Sequence, residues 1–184
     1  MAAPEQTMPA PPRPDGDALG SSLALCRLIE AFGGKARIFI EEEVPKNLLY
    51  LGGTFEIFSG EEPVPEFDVA AAVDCGDLQR VSNRLPLFER AKKTINIDHH
   101  KTNTRFADIN YISTDAAATA EIIYDLFIAS DVPIDNLAAR YIYAAIVSDT
   151  GGFRYSNTTS KTHLIAANLY DIGIDAASIC SDIF

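Results

Sequence analysis

Apolar and polar positions along this chain switch between a helical and a strand period, and the alternation predicts an α/β protein. From Ala18 to Phe32, Leu19, Leu23, Cys26 and Ile29 share one helical face, and Gly33-Gly34 supplies a helix C-terminus. Ala36 to Ile40 reads as a strand, Pro45 to Leu51 as a short helix and Phe55 to Phe58 as a short strand. Val69 to Val73 and Thr94 to Ile97 are short apolar or β-branched runs of the kind that forms buried parallel strands. Thr114 to Ile128, Asn136 to Val147 and Ser160 to Tyr170 read as helices. Strands alternating with helices need right-handed crossovers, so the expected fold is a doubly wound, mainly parallel sheet with helices on both faces.

The beginning of the chain departs from this pattern. Residues 1–14, rich in Pro and Ala, show no period-2 apolarity, and their prolines remove backbone donors and resist a central strand. The segment reads as disordered or extended, with the sheet's first strand missing or altered and a domain over residues 15–184. It lacks the basic start and apolar core of a signal peptide.

Acids recur where these elements end. Asp98-His99-His100 directly follows the strand Thr94 to Ile97, and Asp74 follows Val73. Open α/β sheets hold their ligands at such C-terminal strand ends. Asp15 and Asp17 precede the first helix, and Asp149 follows the apolar run Tyr141 to Val147. Capping explains part of this: Asp17 is a good N-cap for a helix starting at Ala18, whereas Asp15 has no such explanation. Asp and His without Cys suit hard-to-borderline divalent ions, Mn²⁺, Mg²⁺ or Fe²⁺, and a carboxylate can bridge two of them. Two ions about 3.5–4 Å apart clamp the attacking and leaving oxygens of a phosphoryl transfer.

From about Pro14 onward the chain resembles the DHH phosphoesterases. The resemblance rests on Pro14-Asp-Gly-Asp-Ala-Leu-Gly-Ser, Asp74-Cys-Gly-Asp, Ile97-Asp-His-His with Asn103 and Asn110, Ala116-Ala-Ala-Thr-Ala-Glu-Ile-Ile-Tyr124 and Ser148-Asp-Thr-Gly-Gly-Phe-Arg-Tyr-Ser-Asn157. It implies two Mn²⁺ ions, with Mg²⁺ as an alternative. One would be held by a His four residues before Asp15, by Asp15 and by Asp74; the other by Asp17, Asp74, His99 and Asp149, with Asp74 bridging. It places His100 against the substrate phosphate and Asp98 behind a His as its orienting group. Arg154 is the third candidate catalytic residue, as a planar phosphate donor or as a holder of its loop. The position four before Asp15 is Pro11, which has no side-chain donor, so the first ion lacks its His.

The resemblance also implies a second, smaller domain that grips the far end of the substrate, so residues 15–184 read as a catalytic domain truncated before it. The implied activity is hydrolysis of short oligoribonucleotides or 3′,5′-bisphosphonucleosides. Two alternatives stay open: a catalytically impaired binding or scaffold lobe, favoured by Pro11, and a pyrophosphatase or cyclic-dinucleotide phosphodiesterase. A small phosphorylated nucleotide or short RNA is the expected partner, and a homodimer is left open.

Composition narrows the reading. With 184 residues and 47% hydrophobic content the chain has enough material for one α/β core. No apolar run approaches the roughly 18–20 residues of a membrane span. Three unevenly spaced cysteines, Cys26, Cys75 and Cys180, suit a reducing cytoplasm, and Cys75 reads as a small buried hydrophobe. A net charge of −11 argues against long double-stranded nucleic acid, although an acidic site neutralised by bound cations still accepts a short phosphate ester.

Overall fold

A single sheet of six strands carries the fold in the computed structural model, which describes residues 5–9 and 14–184. In chain order the strands are β1 (Glu5–Pro9), β2 (Lys35–Ile40), β3 (Glu56–Ile57), β4 (Val69–Val73), β5 (Lys93–Asp98) and β6 (Ile109–Ile112). They lie in the order β3-β2-β1-β4-β5-β6, and every adjacent pair is parallel. The winding reverses between β1 and β4, which puts a crevice at the carboxyl ends of these central strands. The helices are α1 (Gly16–Ala31), α2 (Leu85–Arg90), α3 (Thr119–Ala129), α4 (Asn136–Asp149), α5 (Ser160–Asp171) and α6 (Ala176–Ile183), with 3₁₀ turns at Lys46–Leu51 and Leu78–Arg84.

Strand β1 corrects the expectation drawn from the N-terminal prolines. Its backbone pairs with both neighbours, Gln6 opposite Ala36 on β2 and opposite Val69 on β4. The prolines bracket this stretch instead of interrupting it: Glu5 to Met8 contains none, and Pro9 is its last residue. Main-chain hydrogen bonds to two established strands hold an extended segment without an alternating side-chain pattern.

Strand β4 shows why the sheet needs helices on both faces. Ala71 and Val73 belong to the large core under α1, α3 and α4, while Ala70 and Ala72 pack with Cys75, Val81 and Phe88 on the opposite face. Helix α4 is buried continuously from Tyr141 to Val147 and forms the centre of the helical layer. It approaches α1 closely because Gly16 and Gly20 have no side chain there. A Cβ at Gly20 would lie 2.8 Å from the Tyr141 carbonyl oxygen and 2.9 Å from Ala145 Cβ, and one at Gly16 would lie 2.4 Å from Ser148 Oγ. Since α1 begins and α4 ends at the crevice, this packing brings Asp17 and Asp149 to the same place.

Further differences concern the start of α3 and elements that carried no expectation. The helix expected from Thr114 begins only at Thr119, and Ala118 is extended at φ −153°, ψ 154°. Alanine's helix propensity is overridden because the polar groups of this segment serve partners elsewhere in the fold. Strand β6 and helices α2 and α6 had no expectation attached to them. Strand β6 carries exposed Ile109 and Tyr111 on the outer edge of the sheet, so it lacks the buried run that marks β4.

Candidate metal centre

Each acid in the crevice is delivered by the end of an element. Asp74 follows β4 with φ 56°, a left-handed conformation that Asp tolerates better than most residues. Asp98 closes β5, and His99 and His100 come directly after it. Asp17 lies in the first turn of α1, and Asp149 is the last residue of α4.

Three of these carboxylates converge on one atom of His99. His99 Nε2 lies 3.5 Å from Asp149 Oδ2, 3.7 Å from Asp74 Oδ1 and 3.9 Å from Asp17 Oδ2. The other ring nitrogen, Nδ1, lies 3.1 Å from the Ala116 carbonyl oxygen, which can only accept; Nδ1 therefore donates, and Nε2 is the nitrogen turned towards the carboxylates. His100 is fixed differently: its Nδ1 donates to Asp98 Oδ1 at 2.6 Å, with Asp74 Oδ1 at 3.7 Å. Asp98 is fully buried, and its Oδ2 accepts from Asn103 Nδ2 at 2.6 Å. Asn96, buried within β5, accepts from the same amide at 2.7 Å and donates to the carbonyls of Ala72 and Cys75, locking the β4 and β5 tips together.

The electrostatics call for a cation. Burial, reinforced by the neighbouring Asp74, Asp149 and Asp15 carboxylates, holds Asp17 well above the usual carboxylate range. Burial also pushes Asp74 up to about 7, with Asp15 adding to the shift and the two His rings and Thr119 opposing it. Asp149 is likewise raised by burial. At Asp98 the hydrogen bonds from His100 and Asn103 outweigh the burial that acts against them, so its carboxyl is held low. The bond to Asp98 raises His100, whereas burial and the exposed Arg80 guanidinium oppose its protonation. Among the described residues, Asp74, His99 and His100 form one group with metal-ligating atoms within 4.8 Å of one another, and Asp17, His99 and Asp149 form a second. Carboxylate oxygens with one or two imidazole nitrogens, crowded and short of positive charge, fit a hard divalent cation.

Asp15 stands apart from this cluster. It is exposed, and its Oδ1 accepts from the Ala18 N–H at 3.0 Å as the N-cap of α1. The capping role expected of Asp17 therefore belongs to Asp15. Asp17 instead caps α3 from a distance: its carboxylate accepts from Thr119 N at 2.6 Å and Ala120 N at 3.1 Å, as well as from Ser21 Oγ at 2.8 Å. Ala118, at the N-cap position of α3, has no side chain that could do this. Pro11 lies outside the described residues.

Arg154 is not drawn to Asp149. Its Nε donates to the Gly151 carbonyl at 2.5 Å and its guanidinium lies over the Phe184 ring at 5.3 Å, so it holds its own loop. His163 is exposed and stacks on Phe153. Asn110 ties its turn through both polar atoms to Ala107, and Cys75 is buried with its thiol on the Asp77 carbonyl.

The sequence reading placed the segment from Ala116 to Thr119 in a helix and in a family motif but gave none of its residues a part in the site. Its carbonyls receive His99 at Ala116 and Asn157 at Ala117, its amides hold Asp17, and Thr119 Oγ1 donates to Asp74 Oδ1 at 2.9 Å. Alanine leaves room for backbone atoms to approach the site, and a polar Thr closing a buried Ala run was the signal available.

A parallel sheet with a carboxylate-histidine cluster at its switch point defines a metal-site α/β domain, and a family model identifies which one. The DHH family N-terminal domain matches residues 11–146, and the chain belongs to that family. It is 34% identical over 166 residues to a Thermus thermophilus protein named as a bifunctional oligoribonuclease and PAP phosphatase NrnA, covering 90% of this chain and 49% of that protein. A Bacillus subtilis protein of the same name is 26% identical over 175 residues, covering 94% of this chain and 54% of its own length. The chain thus spans about half the length of the curated relatives it matches. Among solved structures, an exopolyphosphatase-related protein from Bacteroides fragilis superposes with a TM-score of 0.85 at 23% identity, covering 100% of this chain and 56% of that one. A candidate family II inorganic pyrophosphatase from Methanococcus jannaschii gives 0.73 at 18% identity, with coverages of 96% and 61%. These two likenesses speak for the fold alone. Among the described residues no helix is long and apolar enough to cross a membrane.

Proposed function

We propose that this chain is the metal-binding catalytic lobe of a Mn²⁺-dependent phosphoesterase acting on short oligoribonucleotides or 3′,5′-bisphosphonucleosides. The observation that carries the reading is His99, whose Nδ1 is held by the Ala116 carbonyl while its Nε2 faces Asp17, Asp74 and Asp149. The names of the Thermus and Bacillus relatives favour an oligonucleotide or nucleotide substrate over pyrophosphate.

Asp17, Asp74, His99 and Asp149 would hold one ion, with Asp74 shared towards a second on the Asp15 side. Bound there, divalent ions supply Lewis acidity and a clamp on the reacting oxygens. His100 acts from the chain's own side. Asp98 fixes its ring through Nδ1 and favours the imidazolium, which leaves Nε2–H to donate to a phosphoryl oxygen or to the departing alkoxide.

The test is a hydrolysis panel with added Mn²⁺: a dinucleotide RNA, 3′,5′-bisphosphoadenosine, pyrophosphate and a cyclic dinucleotide. Release of mononucleotide or of the 3′-phosphate supports the reading, and turnover confined to pyrophosphate or the cyclic dinucleotide reassigns the substrate. A second reading, a lobe that holds one ion and binds without turnover, is favoured by the exposed, cap-committed Asp15. One Mn²⁺ per chain and an inert panel would select it.

A further inference from the structure

We propose that Thr119 is the positioning residue of the metal centre, the group that fixes the bridging carboxylate in the orientation two ions require. This inference rests on the metal-site reading above and goes beyond its ligands. Thr119 is fully buried at the first position of α3. There its N–H has no partner within the helix, and it donates to Asp17 Oδ2 at 2.6 Å. Its hydroxyl donates to Asp74 Oδ1 at 2.9 Å. One residue therefore holds two carboxylates that arrive on different elements, one on α1 and one after β4.

The contact to Asp74 restricts how that side chain turns. Oδ1 is also the oxygen nearest both His rings, at 3.7 Å from His99 Nε2 and from His100 Nδ1. With one lone pair given to Thr119, the carboxylate cannot rotate freely about its χ2 bond, so Oδ1 and Oδ2 keep distinct directions. A carboxylate shared between two ions needs that distinction. The backbone at Asp74 is left-handed, so the side chain has little help from its own strand in holding this pose.

Thr119→Val removes the hydroxyl at nearly constant shape, and Thr119→Ser restores it. Mn²⁺ titration by calorimetry on the whole chain should show affinity lowered about 10- to 100-fold for Thr119→Val and within about threefold of the parent for Thr119→Ser. The electron paramagnetic resonance signal of an exchange-coupled Mn²⁺ pair, a readout that loss of packing alone would not move, should disappear in the Val variant at Mn²⁺ levels that saturate the parent. Should Thr119→Val fail to fold, Thr119→Cys, with its weak donor, carries the same comparison. Parent-like Mn²⁺ affinity and coupling in the Val variant would overturn the proposal. So would a Ser variant as weak as the Val one, or a parent that binds no Mn²⁺. If the affinity pattern holds while the substrate panel stays inert, the hydrolytic reading fails and the role of Thr119 stands.

Discussion

The two sides of the crevice start from the same material, aspartates at the ends of secondary elements, and arrive at opposite states. On one side Asp17 and Asp74 are buried and Asp149 half-buried around His99, and their charges oppose one another. On the other, Asp15 faces solvent and its carboxylate already serves α1 as a cap. A ligand set costs stability only where water is excluded, so the buried side carries an electrostatic debt that a cation cancels and the exposed side carries none. Asp74 is the hinge between the two.

The largest effect should therefore come from Asp74. In Asp74→Ala both ions should be lost and hydrolysis should fall by at least about three orders of magnitude, the scale of a full electrostatic contribution to a transition state. Asp74→Asn, which keeps a residue tolerant of positive φ, should lose the metal as completely, separating charge from backbone strain. Elemental analysis after dialysis decides this, and retention of two Mn²⁺ per chain in either variant would remove Asp74 from its shared role.

The next effect is one of pH on the metal-free protein. A carboxyl whose folded value is raised to about 7 contributes stability below its unfolded value near 3.8 and loses it as pH climbs through the folded value. Asp17 and Asp149 shift in the same direction, and the Asp98–His100 pair also weakens as His100 deprotonates. With chelator present, Tm should drop between pH 5 and pH 8 by about 5 °C or more, a loss of roughly 1–2 kcal/mol or more for a chain of this size. Millimolar Mn²⁺ should flatten the profile. A chelated protein more stable at pH 8 than at pH 5 would contradict the crowding of charge on the buried side.

Asp15 tests the exposed side. Asparagine caps a helix as well as aspartate, so Asp15→Asn should leave Tm nearly unchanged while reducing bound Mn²⁺ from two to one; Asp15→Ala should add a cap loss of about 1 kcal/mol. Equal Mn²⁺ binding in the parent and in Asp15→Asn would show that the exposed side contributes no ligand. Smallest of all should be Arg154→Ala. With its guanidinium on the Gly151 carbonyl and the Phe184 ring, it should change KM less than about threefold and stability by about 0.5 kcal/mol. A tenfold rise in KM would return Arg154 to the substrate.

How much of this was legible in the sequence follows from how local each signal is. The tips of β4 and β5 were plain, because an apolar run in β4 and a short stretch with β-branched residues in β5 each end abruptly in an aspartate that stands out. Strand β1 was not, since its place in the sheet comes from main-chain pairing with β2 and β4 and leaves no side-chain pattern to read. The residues from Ala116 to Ala118 were misjudged as helix: His99 and Asn157 engage their carbonyls, Asp17 and Asp74 fix the helix start at Thr119, and none of these four partners is visible from a local window. The exchange of roles between Asp15 and Asp17 has the same origin. Which aspartate caps α1 depends on where α3 docks, more than a hundred residues downstream.

The contact of α1 with α4 makes the missing side chains of Gly16 and Gly20 into the fixed jaw of a caliper. Asp17 sits between them and Asp149 lies one turn beyond Ala145, so the gap across the centre is set by how far the two backbones can close. A methyl group at Gly20 would meet the Tyr141 carbonyl and Ala145 and wedge the jaws apart. Ions differ in the opening they accept, with Mg²⁺–oxygen distances of about 2.0–2.1 Å against about 2.3–2.6 Å for Ca²⁺. An ion held between Asp17 and Asp149 would thus meet a gap set partly by two positions that bear no ligand, and one added carbon at either of them would push the two helices apart.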